Sequence, residues 1–134
     1  RLAPDSRIFT MTVKFMSLDE LKNELLEKNS SLQVVDVRTN DYAGGHIKGS
    51  IHRPANLFEE NEDVDDFIGK LRDSGKQRVV FHCMVSQVRG PTSARRFIRR
   101  VSAADPPYSP QVFVLQGGYD AWYDAMLSDP VFRT

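Results

Sequence analysis

The residues best equipped for chemistry fall in one short stretch, His82-Cys83-Met84-Val85-Ser86-Gln87-Val88-Arg89-Gly90-Pro91. Cys83 is the only cysteine of the sequence, and Arg89 closes the seven-residue segment that begins with it. A thiol is a weak nucleophile and a thiolate a strong one. Backbone N–H groups converging in a loop, followed by the positive end of a helix, favour the thiolate and form a nest for an anion. The expected donors are the amides of Met84, Val85, Ser86, Gln87, Val88 and Arg89. The Arg89 guanidinium can grip two oxygens of a tetrahedral oxyanion and stabilise the charge that grows as Cys83 attacks. Ser86 is expected to hydrogen-bond the Cys83 sulfur, and His82 to brace the loop by bonding backbone carbonyls. A solitary cysteine is more often a small buried apolar residue. Here Cys, Ser, Arg and Gly-Pro share one turn, a restrictive pattern that favours the catalytic reading.

Such a loop needs a strand before it and a helix after it. Arg78 to Phe81 is one of four short apolar runs, with Phe9 to Phe15, Leu32 to Val37 and Gln111 to Leu115. The last three lack clean alternation, as strands buried on both faces do. Between the runs lie helical stripes: Leu18, Leu21 and Leu25; Val64, Phe67, Ile68 and Leu71; Ala94, Phe97, Ile98 and Val101. Ser17 with Glu20 reads as a capping box, Gly75 as a helix-ending glycine, and Pro91 suits a first helical turn. Gly117-Gly118 makes a tight turn into a last helix around which Tyr119 and Trp122 pack. Asp105 to Pro110 is a Pro-rich connection. Strand–helix alternation predicts an α/β fold, a mostly parallel central sheet with helices on both faces and ligands beyond the carboxyl ends of the strands.

Composition narrows the function classes. At 134 residues and 40% hydrophobic, the chain suits one compact domain. Eighteen basic and 18 acidic side chains cancel, so no overall field favours nucleic acid or an anionic membrane surface. One cysteine excludes an internal disulfide, and His46, His52 and His82 lack metal-ligand spacing, so no metal is expected. No apolar run approaches the roughly 20 residues of a membrane span. These features fit a soluble protein of a reducing compartment, cytoplasmic or nuclear. Because the sequence opens on Arg1, an upstream targeting segment is compatible with it.

Val35-Asp36-Val37-Arg38 leads into Gly45-His46-Ile47-Lys48-Gly49-Ser50-Ile51; His82-Cys83 runs on to Arg89-Gly90-Pro91; Leu115-Gln116-Gly117-Gly118-Tyr119 precedes Trp122. In that order the motifs resemble the rhodanese-like superfamily, within it the branch of M-phase-inducer dual-specificity phosphatases and eukaryotic arsenate reductases. The resemblance implies a rhodanese-like three-layer domain over residues 1–134, with 1–8 as a flexible N-terminal extension. It also implies Cys83 as nucleophile and Arg89 as oxyanion binder. Sulfurtransferases of the superfamily carry a shorter loop, so sulfurtransfer is the minor reading. The phosphatases carry acidic residues where Met84 and Val88 stand, and a second cysteine where Val37 stands. Arsenate reduction therefore leads, with Cys83 attacking arsenate and glutathione, with or without glutaredoxin, supplying electrons. The alternatives are a tyrosine or dual-specificity phosphatase acting through phosphocysteine on a phosphoprotein, with its acid from Asp41, Asp120, Glu59 or the substrate itself, and a non-catalytic phosphoprotein-binding module.

The remaining features read as structural. Arg95, Arg96, Arg99 and Arg100 form a basic strip on one helix, chiefly a solvated face and secondarily a docking surface. Glu59, Glu60, Glu62, Asp63, Asp65 and Asp66 crowd the start of the second helix, where carboxylates meet the positive end of its dipole. His46 and His52 are expected to bond backbone around the Gly49-Ser50 turn, and Asp36 to pair with an arginine or an N–H group.

Overall fold

The computed structural model describes residues 13–42 and 44–133. The extension expected over 1–8 and the start of the first apolar run lie outside the described residues. Among the described residues five strands form one sheet: β1 (Lys14–Met16), β2 (Leu32–Asp36), β3 (Ile51–His52), β4 (Arg78–His82) and β5 (Gln111–Leu115). Every pairing is parallel, in the order β1-β5-β4-β2-β3. The helices are α1 (Leu18–Leu26), α2 (Asn61–Asp73), α3 (Arg89–Val101) and α4 (Gly118–Ser128).

Alternation hidden inside the apolar runs splits the core in two. Val35, Val37, Val79, Phe81, Val112 and Val114 face the stripes of α2 and α3. Leu32, Val34, Val80, Phe113 and Leu115 face Leu21 of α1 and Tyr119 and Trp122 of α4. Residues of a strand alternate between faces, so a strand covered on both sides must be apolar at successive positions. On the first face Phe58, Phe67, Phe81 and Phe97 close a ring of edge-on and tilted contacts with centroids 5.3–6.1 Å apart. Cys83 continues the inward side of Val79 and Phe81 and is itself 2% exposed.

Local signals operate as their chemistry requires. Ser17 caps α1 through the reciprocal bonds with Glu20. Gly75, at φ 73°, ends α2 with Gly75 N–H on Arg72 O and Lys76 N–H on Leu71 O, the paired bonds of a Schellman turn. In the Pro-rich connection, buried Tyr108 donates to Lys76 O, and burial pushes its hydroxyl pKa up to about 12. Strand β3 is absent from the apolar runs because it has two residues, both exposed, and offers no hydrophobic pattern. Its place comes from pairing Val35 with Ile51 and Asp36 with His52.

Past the carboxyl end of β2 the chain is held by an ion pair inside the fold. Asp36 and Arg38 are both 0% exposed. Arg38 Nε lies 2.9 and 3.0 Å from the two Asp36 oxygens, and one terminal nitrogen 2.6 Å from Oδ2. The expectation that Asp36 pairs with an arginine or an N–H group is met by both, since Arg38 N also donates to it. Arg38 further donates to Asp41 O at 3.4 Å and Gly45 O at 2.8 Å, and its guanidinium lies 4.1 Å from the Tyr119 ring centroid. Replacing Arg38 by Leu leaves the Asp36 carboxylate buried without its counter-charge. The unfolding free energy measured in urea should fall by about 3–5 kcal/mol; a loss below about 1 kcal/mol would be that of an exposed pair and would refute the burial.

Candidate active site

The strand order brings three segments to the same end of the sheet: residues 37–42 after β2, 83–88 after β4 and 116–117 after β5. Backbone bonds sew them together. Val37 N–H donates to His82 O (2.9 Å), Tyr119 N–H to Cys83 O (3.0 Å) and Asp120 N–H to Met84 O (2.8 Å). The last two bonds need α4 pressed against the loop. That is the role of Gly118, at φ 64°: a Cβ there would lie 2.6 Å from Met84 O and 2.7 Å from Cys83 O. Gly118 therefore has a second function beside the tight turn expected of it.

Two N–H groups point at the Cys83 sulfur, Ser86 N at 3.2 Å and Gly90 N at 3.3 Å. Ser86 makes this contact with its amide, held at φ 59°, and its hydroxyl instead accepts from Cys83 N–H at 3.4 Å. Ser86 thus bonds the sulfur as expected, through its amide, because the left-handed turn swings its N–H toward the sulfur and its side chain back to the loop entrance. Gly90 lies one residue beyond the amides singled out from the sequence; it donates because the first turn of α3 folds directly over the sulfur.

His82 is fully buried, and its Nδ1 stands 3.1 Å from Cys83 O. A carbonyl only accepts, so this bond puts the ring proton on Nδ1. Burial pushes the imidazole pKa down, against the opposing pull of Asp36, whose Oδ2 is 3.8 Å from Nε2. A neutral His82 beneath the loop suits a brace rather than an acid. His52 bonds Arg38 O through Nε2 at 2.6 Å and stacks on Tyr42 at 3.7 Å, while His46 stacks with the same ring at 5.9 Å.

Arg89, the first residue of α3, does not lie idle. Its terminal nitrogens fork onto Asp41 at 2.9 and 2.6 Å, and one reaches Thr39 Oγ1 at 3.5 Å. The Asp41 bond is the main influence raising the Arg89 pKa, with the Cys83 sulfur a smaller one. In return Arg89 pulls the Asp41 carboxyl from 3.8 down to about 2, against the smaller opposing effect of burial. Asp41 was one of three carboxylates able to serve as acid; with that pKa it carries no proton near neutrality. Of the others, Asp120 lines a cleft of about 230 Å³ with Arg38, Gly44, Met84, Tyr119 and Tyr123, and Glu59 stands exposed at the end of the 3-10 turn Ala55–Phe58. The sequence contained Asp41 and Thr39 but no signal that they meet Arg89, some 50 residues away.

Residues 17–125 match the model of the rhodanese-like domain. The chain belongs to the rhodanese-like family. It is 34% identical to dual specificity phosphatase ibp1 of Schizosaccharomyces pombe over 128 residues, covering 83% of this chain and 88% of the relative. Arsenical-resistance protein 2 of Saccharomyces cerevisiae is 32% identical over 114 residues, with coverages of 82% and 88%. Among solved structures, the As-Sb reductase from Leishmania major superposes with a TM-score of 0.79 at 28% identity, over 88% of this chain and 81% of that one.

In the rest of the site's surroundings, Arg95, Arg96 and Arg99 are exposed, while Arg100 forks onto Asp65 of the acidic run at 2.8 and 2.6 Å. Among the described residues no helix is long and apolar enough to cross a membrane.

A carboxyl with a depressed pKa adds stability above its ordinary value and loses it as pH falls through the depressed one. The Arg89–Asp41 pair should thus contribute at neutral pH and vanish as pH falls from 3.8 through about 2. In Arg89→Ala, the Asp41 titration followed by carbon NMR of its carboxyl should return toward 3.8. A midpoint still near 2 would assign the shift to the local backbone instead.

Proposed function

We propose that this protein is a thiol-dependent arsenate reductase in which Cys83 attacks the oxyanion, Arg89 and the loop amides bind it, and glutathione supplies the electrons, directly or through glutaredoxin. The observation that carries the reading is the state of Asp41: the carboxylate joined to the loop's arginine is ionised, and Met84 to Val88 contain no acid. A phosphate ester releases an alcohol or phenol that needs a proton donor. Arsenate brings its own protons, so the oxygen displaced by sulfur can leave as water.

The electrons balance with external thiols. Cys83 sulfur displaces one arsenate oxygen, forming an S–As bond. A glutathione thiolate attacks that sulfur, the S–As electron pair passes to arsenic, and arsenite leaves a mixed disulfide on Cys83. A second thiol frees Cys83 and completes glutathione disulfide. This sequence has no second cysteine to do so internally. Similarity to Arsenical-resistance protein 2 and to the As-Sb reductase supports the reading.

A phosphatase reading is second. Its support is the name borne by ibp1 and the position of Asp120 in the cleft beside Met84, from which a carboxyl could protonate a leaving group. The site would then run through phosphocysteine.

NADPH consumption with arsenate, glutathione, glutaredoxin and glutathione reductase should show a saturable rate that falls to background in Cys83→Ser and on the order of 100-fold or more in Arg89→Ala. No Cys83-dependent rate, beside Cys83-dependent hydrolysis of p-nitrophenyl phosphate, would overturn arsenate reduction and put the phosphatase in its place.

A further inference from the structure

Asp41 raises a question that neither reading answers. The two terminal nitrogens of Arg89 with which a tetrahedral oxyanion would be gripped are already engaged, at 2.9 and 2.6 Å, by a carboxylate of the same chain. A forked guanidinium–carboxylate contact is the same interaction that the arginine would make with two oxygens of arsenate or phosphate. We propose that Asp41 is an internal counter-anion of the site, occupying Arg89 until an incoming oxyanion displaces it, and so sets how strong an anion must be to load the loop. This rests on the Cys83–Arg89 loop being the oxyanion site.

The two partners are unequally anchored. Asp41 Oδ1 also accepts from Thr39 N–H at 3.1 Å. The backbone around it is tied down by Arg38, which donates to Asp41 O and Gly45 O. Arg38 is immobilised in turn by buried Asp36. The carboxylate therefore stays where it is when its partner leaves. Arg89 is a long side chain at the first position of α3, about a third exposed, with several rotatable bonds between guanidinium and backbone. It already feels the Cys83 sulfur. A turn of this one side chain from Asp41 toward an anion above Cys83 is the movement required.

The consequence is a threshold. An anion that offers Arg89 only the two oxygens of a carboxylate gains nothing over Asp41, which is present at high effective concentration. A tetrahedral oxyanion has further oxygens for the loop amides, and these contacts have no counterpart in the resting pair. Asp41 therefore lowers the affinity of every oxyanion by a common factor and leaves the loop empty in the presence of weaker ones. The fork also keeps the cation ordered beside the sulfur between turnovers.

The test uses inorganic phosphate, which external thiols do not reduce, with calorimetric titration of the whole chain. Wild type, Asp41→Asn, Asp41→Ala and Arg89→Ala are compared at neutral pH. Removing the internal competitor should tighten phosphate binding roughly fivefold or more in both Asp41 variants, and Arg89→Ala should weaken it. A residue that only supported the loop would lose affinity on substitution, so the direction separates the roles. Phosphate binding by wild type that is unchanged or weaker in both Asp41 variants overturns the proposal and leaves the oxyanion site standing. No phosphate or arsenate binding by any folded variant overturns the site reading itself, and the proposal with it.

Discussion

A guanidinium with no exposed surface must have its charge compensated and its donors matched inside the fold. Arg38 meets that demand in a way that organises the site. Asp36, the last residue of β2, neutralises it; Asp41 O and Gly45 O take further donors; the Tyr119 ring covers it. Those partners belong to the segment that carries Asp41 and to the helix whose first amides bond the Cys83 loop. The segment after β2 and the start of α4 are thus positioned about one buried ion pair. Buried pairs add little net stability compared with apolar substitutes, but they tolerate few alternative arrangements. Here the pair defines where the Asp41 carboxylate stands.

The loop itself obeys a packing constraint. Cys83 follows the inward side of β4, which puts the sulfur against the core rather than in solvent. Such a sulfur needs polar company, and the company is backbone: Ser86 and Gly90 N–H, made available by a left-handed turn and by the first turn of α3. Gly118 lets α4 approach close enough to satisfy the carbonyls of Cys83 and Met84. The Cys83 sulfur, its N–H donors and the backing helix are held by main-chain geometry rather than by the side chains of Val85, Gln87 and Val88. A scaffold of that kind accommodates relatives bearing the names of a phosphatase and of an arsenical-resistance protein.

Much of this was legible in the residues. The three later apolar runs, the helical stripes, the capping box and Gly75 each carry a local signal, and local signals survive into the fold because burial on both faces of the sheet reinforces them. Cys83, Arg89, Ser86 and His82 were legible as a group because they share one strand–loop–helix turn. Strand β3 was not, since its two exposed residues have no pattern of their own and exist as a strand only by pairing with β2.

What the sequence determined by itself was the order of the helices and of every strand but β3, and the presence of a cysteine and an arginine at a spacing that makes a closed loop. Tertiary structure decided what meets that loop. It chose the amide of Ser86 over its hydroxyl, added Gly90 to the donors, and turned Asp41 from an available acid into the ionised partner of Arg89. The physical reason is range: helix and strand preferences, caps and turns act over a few residues, whereas a carboxylate's protonation follows from the charges that folding brings beside it. Between Asp41 and Arg89 that distance is 48 residues along the chain and 2.6 Å in space.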